Sequence, residues 1–254
     1  MVEVLKKDVP CQMKLPKGKG SFGTVWIRTK NGSKKILKKF PKVPTKIMDL
    51  HPYYIEYLEY LQSINPGIIA VPDTVHQDEK NILRGYEYDY VPGKPIKFSL
   101  GTQSVEKAYD LISTFEDEIS KLEGKVELRD AHDENILLSN NRLMIIDTDL
   151  FRASFEDDVL GEMFDFESNL SEINRTLYYA IFVKEAITVI RGDESLASLE
   201  NNVLNGKASV NKMIREYQEY IKNYLGEDIT NLGQIAGKTL KLLDQRNSLY
   251  GRFY

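Results

Sequence analysis

The chain is 254 residues long, 42% of them hydrophobic, with a formal net charge of -4 and one cysteine, Cys11. That length suits one large domain or two lobes with separate cores, and a lone cysteine excludes an internal disulfide. No uncharged apolar run reaches the roughly 18 residues of a membrane span, no secretory leader is recognisable after Met1, and the acidic balance argues against a nucleic-acid surface. A cytoplasmic protein without membrane contact is expected.

The first part of the chain has a strand-turn-strand rhythm. Residues 18 to 25 read GKGSFGTV, with glycines at Gly18, Gly20 and Gly23 and a β-branched Val25. On spacing alone this is either a loop that cradles phosphate or the Gly-rich turn of a hairpin, because glycine serves both. Residues 14 to 19 lead into it, Thr24 to Thr29 are β-rich, Asn31-Gly32 is a hairpin signal, and Lys35 to Phe40 resume an extended run. Lysines crowd this first fifth of the chain, among them Lys14, Lys17, Lys34, Lys35, Lys38 and Lys39, either as a polyanion site or as a solvated surface.

Residues 53 to 64 place Ile55, Leu58 and Leu61 at helical spacing, and Asn65-Pro66-Gly67 stops them. Ile68 to His76 and Asn81 to Val91 follow as two more strands, with Val91 to Pro95 as a connecting loop. Beyond Pro95 the pattern turns helical: residues 104 to 123, 171 to 190, 209 to 225 and 229 to 245 carry broad apolar faces. One exception lies between the first two blocks, where the apolar runs Asn135 to Leu138 and Leu143 to Ile146 flank Ser139-Asn140-Asn141-Arg142 as a β-hairpin with polar ends.

A β-rich first part with a Gly loop, then helices with one embedded hairpin, resembles the protein-kinase-like superfamily, and signatures match residue by residue. Gly18, Gly20, Gly23 and Val25 match G-x-G-x-x-G-x-V; Lys38 matches the strand-three lysine; Glu56, with Glu59 competing, matches that lysine's helical partner. Arg129-Asp130 with Asn135 matches R-D-x-x-x-x-N, and Asp147 matches the metal-binding aspartate.

The resemblance implies an α+β, bilobal kinase-like fold in a single domain over 1–254. Residues 1–90 would form a small antiparallel sheet with one helix, 91–95 a hinge, and 96–254 a mainly helical lobe. It further implies ATP and Mg²⁺ as cofactors. Gly18, Lys19, Gly20, Ser21 and Gly23 would cover the phosphates, Lys38 would bind them, and Asp130 would take the acceptor's proton. Asn135 and Asp147 would hold Mg²⁺, while Val25, Ile36 and the backbone of Asp89, Tyr90 and Val91 would receive adenine, with Tyr88 at the gate. The implied activity is phosphoryl transfer to a protein serine or threonine. The alternatives are an aminoglycoside-phosphotransferase-like kinase acting on a small-molecule hydroxyl and a nucleotide-binding pseudokinase.

The pattern departs from the family in several places. Leu128 stands where histidine is usual, and Ile36 where a small alanine is common. His132, two residues after Asp130, resembles the small-molecule branch and either reaches phosphate or substrate or packs as a loop histidine. Asp147-Thr148-Asp149 replaces D-F-G, with Asp149 as a second metal contact or a local cap, and no A-P-E follows. The short stretch after it carries Glu156, Asp157, Asp158, Glu162, Asp165 and Glu167, which would steer a cationic acceptor or form a solvated loop.

Overall fold

The structure is a computed structural model that describes residues 2–5, 18–19, 24–30, 32–40, 54–65, 67–148, 151–153 and 168–250, with backbone alone at 18–19, 30, 152–153 and 247–250. It is mixed α+β, with a small sheet in the N-terminal part and helices in the C-terminal part. The chain divides into two compact units, the first comprising 1–92, 124–129 and 145–164, the second 93–123, 130–144 and 165–254. Segments 124–129 and 145–164, assigned by the sequence reading to the helical part, thus belong to the first unit.

In the first unit, β1 (Glu3–Leu5), β2 (Gly18–Lys19), β3 (Thr24–Lys30), β4 (Ser33–Lys39), β5 (Thr74–Gln77) and β6 (Leu83–Asp89) form one sheet in the order β1-β5-β6-β4-β3-β2. Four of its five pairings are antiparallel, but β1 pairs parallel to β5, Val4 opposite Val75, which corrects the expectation of a purely antiparallel sheet. The expected hairpin between β3 and β4 is present: Lys30 pairs with Ser33, and Gly32 takes φ +82°, the left-handed value its missing Cβ permits. Of the strand expected over Ile68 to His76, the part from Thr74 onward is in the ladder. Ile69 is held separately by a parallel bridge to Ile145.

One sheet face is laid out by the period of two. Val25 pairs with Lys38, Ile27 with Ile36, and Lys38 with Tyr86, so Val25, Ile27, Ile36, Lys38, Tyr86 and Tyr88 share it. On this face α1 (Tyr54–Ile64) buries Tyr57, Leu58 and Leu61, and the Tyr54 ring stacks on Tyr86 with centroids 6.3 Å apart. Gly85 lets β6 lie tight against β4: a Cβ there would stand 2.5 Å from the Lys38 carbonyl oxygen. On the opposite face Glu87, fully buried, accepts from Arg28 and bonds His76 Nε2 at 2.5 Å. The small pair of β8 (Val126–Glu127) and β11 (Arg152–Ala153) completes the unit.

In the second unit, β7 (Lys94–Pro95), β9 (Ile136–Ser139) and β10 (Arg142–Ile145, its last residue in the first unit) form a three-stranded sheet. The hairpin between β9 and β10 turns on Asn140 and Asn141, both at positive φ, as a two-residue I′-type turn requires. Around it lie α2 (Ile96–Ser99), α3 (Val105–Ser120), α4 (Asn169–Ile181), α5 (Lys184–Arg191), α6 (Glu194–Leu204), α7 (Val210–Leu225) and α8 (Gln234–Tyr250). Their starts are capped as the side chains dictate: Ser104 accepts from Lys107 N–H, Asp193 from Ser195 and Leu196, and Ser209 from Asn211. The apolar faces, including Phe115, Leu177, Tyr178, Ile214 and Tyr217, are buried.

Two helical expectations change. The single helix over 171 to 190 breaks at Phe182, whose extended ψ of 110° ends α4. The final helix starts at Gln234, because Ile229 and Leu232 are buried in the turn that precedes it. No helix among the described residues is long and apolar enough to cross a membrane.

Candidate active site

Lys38 sits one residue from the end of β4, an interior strand of the sheet, and is 2% exposed. A buried ammonium needs a counter-charge, because removing an unpaired ion from water costs several kcal/mol, on the order of the Born penalty after relaxation. It meets both carboxylate oxygens of Asp147, at 2.9 Å and 2.8 Å, across 109 positions of sequence. Its Nζ also lies 5.9 Å from the centroid of the Tyr86 ring, within cation-π range. Asp147 keeps 35% of its side chain exposed, so its carboxylate is held from one side and open on another.

Asp147 follows β10 with φ +67°, an unusual value for a residue with a Cβ. Thr148 behind it is buried, and its carbonyl oxygen accepts from the Tyr57 hydroxyl at 3.0 Å and from Phe151 N–H at 3.2 Å. Both lone pairs of that oxygen are therefore used. Among the described residues, the non-glycine positions with positive φ are Asn81, Asn140, Asn141, Asp130 and Asp147. The three asparagines serve hairpin turns; the two aspartates are the carboxylates singled out by the sequence. Backbone of this kind is stored where the surroundings over-determine it, often at functional positions.

Glu56, the expected partner of Lys38, lies in the first turn of α1 with its side chain exposed, and among the described residues Asp147 is a carboxylate that meets the ammonium. The competing Glu59 accepts from Val2 N–H at 3.2 Å. Tyr57, one residue from Glu56, was invisible to the sequence reading, because an aromatic beside Leu58 and Leu61 looks like ordinary core.

The end of β6 supplies the segment expected to receive adenine. Tyr90 N–H bonds Lys34 C=O at 3.1 Å, and Glu87 C=O accepts from Asp73 N–H at 2.9 Å. Alternation then turns the Asp89 backbone groups to the β5 side, at a level where β5 has ended. Among the described residues no backbone bond uses Asp89 C=O or Val91 N–H, whereas Tyr90 N–H is already committed. The Asp89 side chain pairs with Lys35 at 2.9 Å. Val25 and Ile36 lie on the same sheet face as Lys38. Of the glycine loop, Gly18 and Lys19 form β2, Gly18 opposite Val25. Gly20, Ser21 and Gly23 lie outside the described residues, as do Asp149 and the acidic stretch from Glu156 to Glu167.

The second unit holds the other group. Asp130 takes φ +60°, and its carbonyl accepts from Asn135 Nδ2 at 3.0 Å, while Asn135 N–H bonds His132 C=O at 2.9 Å. These bonds close the loop on itself and leave the Asn135 amide oxygen available. The Asp130 carboxylate lies 4.0 Å from His132 Nε2, and both side chains are about half exposed. Two neighbours fix the loop: Thr176 Oγ1 on α4 donates to Ala131 C=O at 2.8 Å, and Lys97 N–H on α2 to Asp133 C=O at 3.4 Å. Lys97 also pairs with Glu134 at 3.0 Å, which holds that carboxyl below its ordinary range.

A cavity of about 280 Å³ opens beside this loop, lined by His132, Asp133, Arg175, Thr176, Tyr179 and Ala180. A second, of about 490 Å³, continues past Tyr179 along α5 to Arg191. Among the described residues no group of three or more His, Cys, Asp or Glu side chains could hold a metal by itself. Mg²⁺ bound with phosphates asks less, one or two carboxylates and oxygen donors; the partly exposed Asp147 carboxylate of the first unit is an oxygen donor of that kind. Comparison with models of known protein families and with curated proteins returned no match.

Proposed function

We propose that this chain is an ATP- and Mg²⁺-dependent phosphotransferase of the protein-kinase-like kind, acting on a serine or threonine hydroxyl of a protein. The observation that carries the reading is the pair of Lys38 and Asp147, two residues chosen from sequence signatures and held at 2.8 Å in the first unit. An exposed lysine and a solvated loop acid, the ordinary alternatives for these residue types, would have no reason to meet with the ammonium buried.

In this reading Lys38 binds phosphate oxygens and the open side of the Asp147 carboxylate holds the metal, with Asn135 as the further ligand that the family resemblance implies. Bound Mg²⁺ neutralises charge on the phosphates. The Asp89 carbonyl and the Val91 amide offer an acceptor and a donor to a flat base against Val25 and Ile36. Asp130 orients the acceptor hydroxyl and accepts its proton, and the Asn135 amide keeps the loop in the conformation that presents that carboxylate. Positioning and charge placement are the main catalytic contributions available to such residues.

The cavities beside the loop favour a polypeptide acceptor. Together they run along two helices and share the half-exposed Tyr179, which gives an extended surface rather than one enclosed pocket. The second reading, a small-molecule kinase, is favoured by His132, which lines the smaller cavity next to Asp130, and in the sequence by Asp149 and the missing A-P-E. The test is nucleotide-dependent thermal stabilisation. ATP with Mg²⁺ should raise the melting temperature of the wild type, and Asp147→Ala should abolish the Mg²⁺-dependent part. Stabilisation of the variant equal to wild type would overturn the metal assignment. Turnover stimulated by metabolites without labelling of any protein would favour the second reading.

A further inference from the structure

We propose that Tyr57, rather than its acidic neighbour Glu56, is the α1 residue that positions Asp147. The proposal rests on the reading of Asp147 as the metal-binding carboxylate. It departs from the family resemblance, which places a helical carboxylate against Lys38.

The argument starts from orientation. Successive residues of a helix are rotated by about 100°, so Glu56 and Tyr57 cannot serve the same face. Glu56 is exposed, whereas Tyr57 is fully buried, and its hydroxyl donates to the Thr148 carbonyl at 3.0 Å. That carbonyl belongs to the residue directly after Asp147, whose backbone is in the left-handed region at φ +67°. Such a conformation persists where neighbouring contacts fix it, and a buried hydrogen bond one peptide away is a contact of that kind.

The contacts also form a closed circuit. The Tyr57 ring lies 6.0 Å from Tyr54, Tyr54 stacks on Tyr86, and Tyr86 stands opposite Lys38 in the ladder with its ring near Nζ. Lys38 holds Asp147, and Thr148 returns the path to Tyr57. Removing the hydroxyl opens the circuit at the peptide that follows the carboxylate, and leaves the rings packed. Tyr57 is thus a positioning residue, acting on metal and nucleotide through Asp147.

The test compares the full chain with Tyr57→Phe and Glu56→Gln. The Mg²⁺ concentration at half-maximal stabilisation by saturating ATP is read by thermal shift, alongside the melting temperature without nucleotide. Tyr57→Phe should raise the Mg²⁺ midpoint about five-fold, the equivalent of one neutral hydrogen bond of about 1 kcal/mol. Glu56→Gln should leave the midpoint unchanged. A Tyr57→Phe protein that melts lower without nucleotide but keeps the wild-type midpoint shows a purely structural hydroxyl and overturns the proposal. A larger shift in Glu56→Gln than in Tyr57→Phe overturns it as well. Absence of Mg²⁺-dependent stabilisation in the wild type overturns the metal reading itself, and the proposal with it.

Discussion

In the first unit the Lys38 side chain is 3% exposed and is held by both oxygens of Asp147, whereas in the second the side chains of Asp130 and His132 are 49% and 46% exposed and meet no closer than 4.0 Å. Burial explains the difference. An ammonium placed in the middle of a sheet must find a carboxylate inside the fold, so its partner is built in before any ligand arrives. Carboxylates on a loop in water need no such partner, and their placement depends on backbone bonds such as Asn135 Nδ2 to Asp130 C=O. The group in the first unit is organised by charge pairing and the one in the second by loop geometry.

Three variants press on this contrast. The largest structural effect is expected from Gly85→Ala, because the added methyl would stand 2.5 Å from the backbone carbonyl of Lys38. The strand must shift, with a loss of about 1–3 kcal/mol in urea unfolding as for other overpacked positions. Weakened ATP stabilisation should accompany it, since Lys38 moves with its strand. A variant as stable and as responsive to ATP as wild type would show that the pairing tolerates displacement.

A smaller effect is expected from Glu87→Gln on the opposite sheet face. Burial alone would raise the Glu87 carboxyl, but the hydrogen bonds from His76 and Arg28 outweigh it and hold the group below its ordinary value of 4.5. A depressed carboxyl stabilises the fold at pH values above that ordinary value, and the contribution is lost as pH falls through the folded-state value. Wild-type melting temperature should therefore fall between about pH 7 and about pH 3 with a slope that Glu87→Gln reduces. Equal slopes would mean that the cluster does not govern the acid response. The smallest effect belongs to Lys97→Ala, where an exposed pair with Glu134 is removed. No change in the melting temperature is expected, and a measurable drop would show that the loop relies on charge pairing after all.

Much of this layout is legible in the sequence, for reasons that differ by element. The hairpins that turn through Gly32 and through Asn140-Asn141 follow from residues that accept positive φ, and α3, α6 and α7 begin at side chains able to cap them. The helix Glu194–Leu204 carries a start signal in Asp193 after Gly192, but the polar residues Glu200, Asn201 and Asn202 interrupt its apolar spacing. The parallel edge strand Glu3–Leu5 was hidden, because three residues carry no period and its partner is chosen in three dimensions. The break at Phe182 was hidden for a similar reason: neither Phe182 nor Val183 is a helix breaker, and packing decides. Lys38, Asp130, Asn135 and Asp147 could be picked only through the family resemblance, whose order and spacing they match. Spacing could not find Tyr57, since the signal for a buried hydroxyl with a backbone partner lies in the partner's position, 91 residues away.

The most direct measurement of the central claim is transfer of labelled γ-phosphate from ATP, with Mg²⁺, to a panel of proteins by wild type and by Asp130→Asn. The expected result is labelling by the wild type and a drop of about 10²- to 10⁴-fold in the variant, the usual weight of a positioned proton acceptor. Equal labelling by both proteins, or none by either, would contradict the account.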